Sequence, residues 1–273
     1  MNIFKKLPFF GRTARRPKVA LVLGGGAARG FAHVGVIRVL EQEKIPIDLI
    51  VGTSVGSLIG AIYAHDVNSF ELEWTAFTLE REDLFDYGLF TVFTGLGAAR
   101  GAKLEEFVRN KVPVEDISQL KIPFAATATD LNNGIQVILD SGPVDVAVRA
   151  SCAIPGIFEP VAREGRLLVD GGVLDNLPVQ AARDKGAEIV IAVDVSSEVK
   201  NNEISNVLEV MVQSIHIMSY DNIKRGRRDA DILISPKVGT VGMLDFSKKK
   251  ECLQAGIEAA RLALPEIRKI ITA

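Results

Sequence analysis

Short apolar runs alternate along this chain with longer segments in which apolar residues recur every three or four positions. The short runs have the length of buried β-strands, and the longer segments have the period of amphipathic helices. Strands are predicted at residues 18–23, 45–51, 123–129, 135–139, 161–163, 166–169, 188–195 and 231–235. Helices are predicted after residue 30 and at residues 55–65, 70–79, 103–111, 143–150, 178–185, 204–228 and 248–270, the last interrupted near Pro265. This alternation is typical of an α/β protein with a mixed, largely parallel sheet.

No linker, repeat or low-complexity segment divides residues 18–273, so we expect one α/β domain there, preceded by a flexible basic arm at residues 1–17. Residues 1–18 hold six of the 32 basic residues and none of the 34 acidic ones, so the rest of the chain has a net charge of −8. Basic residues mixed with phenylalanines suit an anionic membrane surface, and a solvated arm is the alternative. The candidate membrane contacts are Lys5, Lys6, Arg12, Arg15 and Arg16.

The composition predicts an ordinary globular protein, with 48% hydrophobic and 24% charged residues. No apolar stretch approaches the ~18 residues that span a bilayer, and the N-terminus lacks the apolar core of a secretory signal. Two cysteines are too few for a disulfide framework, so we expect a cytoplasmic protein, peripheral on the membrane if the arm binds lipid. His33, His65 and His216 are isolated from one another and from the two cysteines, so we expect no metal site. We expect no other cofactor either. A basic cluster at residues 224–228 fits a solvated helix end better than a nucleic-acid contact.

Ser54 lies in a G-x-S-x-G sequence, Gly52 to Gly56, between a predicted strand and a predicted helix. A serine on such a turn is a nucleophile elbow, in which flanking glycines leave room for the sharp bend. The alternative interpretation is that Ser54 only caps the following helix.

A glycine-rich loop, Gly24 to Gly30, follows the first predicted strand. Two phosphate-binding motifs fail here, because residue 29 is arginine where a dinucleotide motif needs glycine and residue 31 is phenylalanine where a P-loop needs lysine. What remains is a set of backbone N–H groups at a helix N-terminus, which could form an oxyanion hole. Arg29 adds a positive charge, unless it is only a solvated residue of the first turn.

A serine nucleophile needs a base, and the residues alone leave several candidates. A triad of Ser54, Asp170 and His216 has a known chain order, but His216 lies inside an apolar helical run where a core histidine is more common. Asp170 ends a strand and is followed by two glycines, yet Asp130 and Asp194 also end predicted strands. Simple physical arguments do not choose among the three aspartates.

From residue 18 to residue 195 the chain resembles the patatin-like phospholipases, in particular bacterial members related to the catalytic domain of neuropathy target esterases. The resemblance lies in the glycine loop at 24–30, the elbow at 52–56, the loop at 151–160 and Asp170-Gly171-Gly172. It implies a three-layer α/β/α fold and a calcium-independent Ser–Asp dyad that hydrolyses lipid acyl esters through an acyl-enzyme. It further implies that Ser54 is the nucleophile, Asp170 the base, and Gly25, Gly26 and Ala27 the oxyanion hole. The supporting motif residues are Gly24, Arg29, Gly30, Gly52, Gly56, Gly171 and Gly172.

The apolar, glycine-punctuated stretch at residues 84–96 is a candidate wall for the acyl chain, with Phe90 and Phe93 at its centre. A packed connection between helices is the plainer interpretation of this stretch. The alternative function is a lipid-binding or regulatory protein that keeps the site but turns over little substrate. A nucleotide-binding module is weakened by the two failed phosphate motifs.

Overall fold

The computed structural model describes residues 15–86, 97–196, 207–242 and 245–272. Its strands are β1 (Val19–Leu23), β2 (Leu49–Thr53), β3 (Gly97–Ala99), β4 (Phe124–Asp130), β5 (Ile135–Leu139), β6 (Gly156–Phe158), β7 (Val161–Arg163), β8 (Arg166–Asp170), β9 (Ile189–Val193) and β10 (Ile232–Ile234). The main sheet has the order β10-β9-β1-β2-β4-β8-β7, and β5 pairs with β4. Neighbours from β10 to β4 are parallel, whereas β5, β7 and β8 pair antiparallel. The predicted α/β class with a largely parallel sheet is confirmed.

The α-helices pack on both faces of the main sheet. They are α1 (Phe31–Gln42), α2 (Val55–Asp66), α3 (Ser69–Thr78), α4 (Arg81–Leu84), α5 (Ala102–Lys111), α6 (Val144–Ser151), α7 (Val179–Asp184), α8 (Val207–Asp229) and α9 (Lys249–Ile271). Alternate residues of β1 enter different cores: Leu21 packs with α1, α2 and α9, whereas Val22 packs with α7. This alternation is the two-residue period of a strand that is buried on both faces, and it produces three layers.

The register of β4 places the ends of β2 and β8 next to each other along one side of β4. Thr53, the last residue of β2, pairs with Thr127, and Asp170, the last residue of β8, pairs with the next residue, Ala128. Both pairings lie on the side of β4 opposite β5, because β5 pairs with the same β4 residues from the other side. Residues 54 and 170 therefore meet although 115 residues separate them in the chain.

Three local predictions are wrong or incomplete. Strand β2 begins at Leu49 rather than at residue 45, which fits Pro46 lacking the N–H that a central strand donates. The predicted irregular loop at 151–160 contains β6, which pairs with β3 in a small second sheet. Helix α9 runs through Pro265 without interruption.

The described part of the arm contacts the body of the protein. Arg15 pairs with Glu188 at 3.1 Å and Arg16 with Asp48 at 2.5 Å. Residues 1–14, which include Lys5, Lys6 and Arg12, lie outside the described residues. Among the described helices, none combines the length and the hydropathy that crossing a bilayer requires.

Candidate active site

Ser54 forms the turn between β2 and α2 in a strained conformation. Its φ is +53° and its ψ is −127°, a region that non-glycine residues rarely adopt. Its side chain makes no capping hydrogen bond to α2, which removes the interpretation of Ser54 as a helix cap. Gly56 allows the tight turn, because a Cβ there would lie 2.1 Å from the carbonyl oxygen of Leu23. This is the geometry of a nucleophile elbow.

The last residue of α6 and the loop that follows it hold both ends of the candidate dyad. The backbone N–H of Ser54 donates to Ser151 Oγ at 3.0 Å. The backbone N–H of Asp170 donates to the carbonyl of Ala153 at 3.0 Å. One short segment thus fixes the elbow and the end of β8 relative to each other.

Asp170 is 5% exposed, and its two carboxylate oxygens differ in their hydrogen bonding. Oδ1 accepts the backbone N–H of Gly172 at 2.8 Å, whereas Oδ2 is buried and has no hydrogen-bond partner among the described residues. Burial raises the pKa of Asp170 to about 6, against the opposing effects of the Ser54 hydroxyl and the Gly172 N–H. A carboxylate with a free oxygen and such a pKa can accept a proton near neutral pH.

The two rival aspartates already have partners for their carboxylates. Asp130 accepts hydrogen bonds from Asn132 and Asn133 within its own turn, and these hydrogen bonds, led by that of Asn133, lower its pKa. Asp194 pairs with Arg227 at 2.5 Å and also accepts from Ser196. Of the three, Asp170 is the one that lines the same cavity as Ser54.

The glycine loop offers two backbone N–H groups at this cavity. Gly24 N–H donates to Val193 O at 3.0 Å, and Gly25 N–H donates to Asn176 O at 3.2 Å. Within the described chain, the N–H groups of Gly26 and Ala27 have no acceptor, and Ala27 is held at a φ of +50°. Of the three residues that the resemblance implies for the oxyanion hole, Gly26 and Ala27 therefore carry the available donors.

Two residues outside the predicted site fix the glycine loop. Asn176 accepts the N–H of Gly25 with its carbonyl and donates its side-chain N–H to Gly25 O at 3.0 Å. Buried His33 donates from Nε2 to Gly24 O at 2.7 Å, since a carbonyl only accepts. Burial lowers the pKa of His33 to about 4, so its imidazole is neutral at physiological pH. The sequence signal for Asn176 is a lone amide six residues after Asp170.

Gly25 also lies directly against Ser54. A Cβ added to Gly25 would lie 3.2 Å from Ser54 Cβ and 2.4 Å from Asn176 Oδ1. The glycine is therefore required by the close approach of the loop to Ser54 and not by a positive φ.

Ser54 and Asp170 open into a cavity of about 590 Å³. Arg29 lines it but is 3% exposed and donates from Nε to Val241 O at 2.7 Å, so its interpretation as a solvated first-turn residue is wrong. His216 also lines it, contrary to the expectation of a core histidine, and its Nε2 is buried with no hydrogen-bond partner among the described residues. Burial, reinforced by Arg29, lowers the pKa of His216.

A second cavity of about 660 Å³, almost entirely apolar, touches Ser54 from the other side. It shares Ala27, Ser54 and Ile154 with the first cavity. Its remaining lining residues are Ala28, Phe31, Val55, Leu58, Ile59, Leu79, Leu84, Phe85, Leu104, Cys152, Phe158 and Phe246. Leu84 and Phe85 belong to the stretch predicted as an acyl-chain wall, while Phe90 and Phe93 lie outside the described residues.

The described residues contain no group of three or more His, Cys, Asp or Glu side chains that could hold a metal ion. The polar groups that line the cavity beside Ser54 include the carboxylate of Asp170, the imidazole of His216, the side chains of Arg29 and Asn176, and the glycine loop with its backbone N–H groups. This arrangement can activate a hydroxyl and stabilise an oxyanion with the chain's own residues.

A family model described as patatin-like phospholipase matches residues 21–183 of the chain. The chain is 30% identical over 277 residues to Lysophospholipase NTE1 of Scheffersomyces stipitis, which covers 89% of this chain and 18% of the fungal protein. It is 40% identical over 187 residues to an NTE family protein of Mycobacterium tuberculosis, covering 68% of this chain and 51% of that protein. The chain thus spans less than a fifth of the fungal relative and about half of the mycobacterial one.

Two solved structures share the fold. VipD from Legionella pneumophila superposes with a TM-score of 0.63 at 14% identity, covering 93% of this chain and 67% of VipD. ExoU from Pseudomonas aeruginosa, in its complex with SpcU, superposes with a TM-score of 0.52 at 12% identity, covering 95% of this chain and 54% of ExoU. At such low identity, these likenesses concern the fold alone.

Proposed function

We propose that this chain, which belongs to the patatin-like phospholipase family, is a serine hydrolase of lipid acyl esters that acts through a dyad of Ser54 and Asp170. One observation carries the proposal. A strained serine shares a cavity with a buried, unpartnered carboxylate oxygen and with two backbone N–H groups that have no acceptor among the described residues.

In the proposed reaction, Ser54 Oγ attacks the ester carbonyl and its proton passes to Asp170 Oδ2. The carbonyl oxygen becomes an oxyanion, which the N–H groups of Gly26 and Ala27 stabilise together with the N-terminus of α2, the helix that follows Ser54. Collapse of the intermediate breaks the ester bond, Asp170 returns the proton to the leaving alkoxide, and the acyl group stays on Ser54. Water then attacks the acyl-enzyme, Asp170 takes its proton, and the proton returns to Ser54 as the fatty acid leaves.

The two cavities divide a lipid substrate at the reacting bond. The apolar cavity beside Ser54 accommodates an acyl chain, because its lining offers almost no polar group. The alcohol side of the ester then occupies the other cavity, where Arg29, Asn176 and His216 lie. Such a division favours a phospholipase A or lysophospholipase activity over hydrolysis of short, polar esters.

The decisive experiment labels the purified protein with a fluorophosphonate probe and measures turnover of a short p-nitrophenyl ester and of a lysophospholipid. Ser54→Ala and Asp170→Asn are expected to lose turnover by at least about a thousandfold, because each removes a member of the dyad. Ser54→Ala is also expected to lose labelling, and His216→Ala to keep both. Equal losses in His216→Ala would replace the dyad with a triad. A folded wild-type protein that neither labels nor turns over would leave the lipid-binding regulator as the function.

The acyl-chain assignment has its own test at the edge of the apolar cavity. Leu84→Trp fills space there, so we expect turnover of long-chain esters to fall about tenfold or more while that of acetyl and butyryl esters stays within about twofold. Leu131→Trp, on an exposed position away from both cavities, is the matched control. Equal losses for short and long chains would contradict the assignment.

Peripheral membrane contact through the arm and a cytoplasmic location stay predictions. Deleting residues 1–14 and measuring sedimentation with anionic liposomes tests the contribution of Lys5, Lys6 and Arg12. Arg15 and Arg16 are kept in this deletion, because both bind acidic residues of the body.

A further inference from the structure

Helix α8 forms part of the wall of the cavity that contains Ser54 and Asp170. Ile215, His216 and Ser219 line that cavity. Further along the helix, Ile223 and Gly226 are buried on the same face. This face of α8 is therefore turned toward the protein's own interior.

The opposite face of α8 exposes large apolar side chains. Val210 and Ile217 are 49% and 53% exposed, and Met211 and Met218 are 37% and 70% exposed. The two pairs are each seven residues apart, which is two helical turns, so the four side chains form one stripe. We call the stripe the outer face of α8. Exposed apolar residues are common singly, but four on one face of one helix mark a contact surface.

Basic residues continue this face toward the C-terminus of the helix. Lys224, Arg225 and Arg228 are exposed, and helical spacing places them on the side of the outer face. Asp221 and Asp229 lie nearby, at 3.6 Å from Lys224 and 3.2 Å from Arg228, and such exposed pairs are weak. Apolar residues followed by cations on one helix face suit the boundary between acyl chains and anionic headgroups.

We infer that the outer face of α8 docks on the surface of an anionic lipid aggregate. Val210, Met211, Ile217 and Met218 enter the acyl region, and the three cations contact lipid phosphates. The contact would hold the cavity one helix diameter from the lipid surface, where a lipid hydrolase finds its substrate. Its biological meaning therefore rests on the proposed lipid hydrolysis. The contact itself requires no turnover.

The test uses the full chain with Ser54→Ala as background, so that substrate cleavage does not alter the vesicles. Binding is measured by flotation with vesicles of phosphatidylcholine alone and of equal parts phosphatidylcholine and phosphatidylglycerol. The variant Ile217→Asp/Met218→Asp is expected to bind at least about tenfold more weakly, because burying even one such side chain is worth about that factor. Leu262→Asp, an 82% exposed position on α9 in the opposite layer, is the matched control and should bind as the background does.

A second variant tests the charges. Lys224→Glu/Arg228→Glu is expected to lose the preference for phosphatidylglycerol while keeping binding to phosphatidylcholine. The proposal is overturned if the Asp variant binds like Leu262→Asp, or if Lys5→Glu/Lys6→Glu in the arm abolishes all binding by itself. A dimer of the wild-type chain that Met218→Asp dissociates would assign the face to a second copy instead. Fluorophosphonate labelling of the same variants with Ser54 restored shows, independently of flotation, whether the active site is still intact. A wild-type chain that floats with the vesicles but does not label would refute only the proposed hydrolysis.

Discussion

In the proposed reaction, Asp170 serves the chemistry at the expense of stability. Its carboxylate is buried with one oxygen unpartnered, and its pKa is raised from 3.8 to about 6. Between these two pH values the folded protein holds a proton that the unfolded chain has released, so stability falls as pH rises through this window. Above about pH 6 the penalty is constant and the base is ionised.

We predict that kcat/KM for a short ester falls below about pH 6 as Asp170 becomes protonated, and is level above that pH. We also expect Asp170→Asn to be more stable than the wild type at pH 7, by roughly 1–3 kcal/mol, and to lose this advantage near pH 4. Urea unfolding at the two pH values measures the difference. His33 does not account for a fall in activity near pH 6, because its pKa of about 4 keeps it neutral at that pH. A destabilised Asp170→Asn at pH 7 would contradict the reasoning.

Asn176 acts at the same scale through another residue. It accepts a hydrogen bond from the N–H of Gly25 and donates one to the carbonyl of Gly25, and Gly25 lies against Ser54. Asn176→Ala is expected to lower kcat roughly tenfold to a hundredfold with little change in KM, because the proposed oxyanion donors next to Gly25 lose their fixed position. Gln254→Ala, on the exposed surface of α9, is the control. A change in KM alone would assign Asn176 to substrate binding.

At the scale of elements, α9 is continuous although Pro265 removes one hydrogen bond within the helix. Pro265 and Arg261, whose carbonyl loses its partner, are both exposed, so water can solvate that carbonyl. We predict that Pro265→Ala stabilises the protein by about 1–3 kcal/mol, since proline is the least favourable residue in an exposed helix interior. Urea unfolding measures this change in the free energy of unfolding, and we expect the m-values of the two proteins to be equal. Leu262→Ala, with its 82% exposed side chain, should change stability by less than about 0.5 kcal/mol.

At the scale of the whole molecule, the contact between α1 and α9 joins a segment near the beginning of the chain to its last helix. A Cβ at Gly35 would lie 2.1 Å from Leu253 O, and one at Gly256 would lie 2.0 Å from Ala32 O. The two backbones therefore touch through a glycine from each helix. Ala32 precedes His33, which holds the glycine loop, so this crossing also supports the candidate active site.

Gly256→Ala is therefore expected to lower stability by roughly 1–3 kcal/mol and to reduce kcat, because α1 must move and His33 moves with it. Thermal unfolding and turnover of a short ester are the measurements. Gly242→Ala is the control, since the nearest atom to its added Cβ lies 3.5 Å away. Lower stability with unchanged kcat would show that the crossing is independent of the glycine loop.

The sequence by itself determined the features that depend on neighbouring residues. The order of strands and helices follows from apolar periodicity, and the elbow at Ser54 follows from a glycine on each side of a serine between strand and helix. The wrong prediction of an interrupted helix at Pro265 has the same origin. The rule that proline breaks a helix considers only the local sequence, and it does not take into account that Pro265 and Arg261 are both exposed to water.

The tertiary structure decided what depends on contacts between distant segments. Without the family resemblance, Asp170 stands out from Asp130 and Asp194 only when the hydrogen bonds of all three are known, and it reaches Ser54 through the register of β4. Periodicity along a strand does not fix which strand pairs beside it. In the same way, the spacing of the glycines does not reveal that Asn176 occupies the N–H of Gly25. The local pattern set the elements and the turn that carries Ser54, and long-range pairing selected the groups that surround this serine.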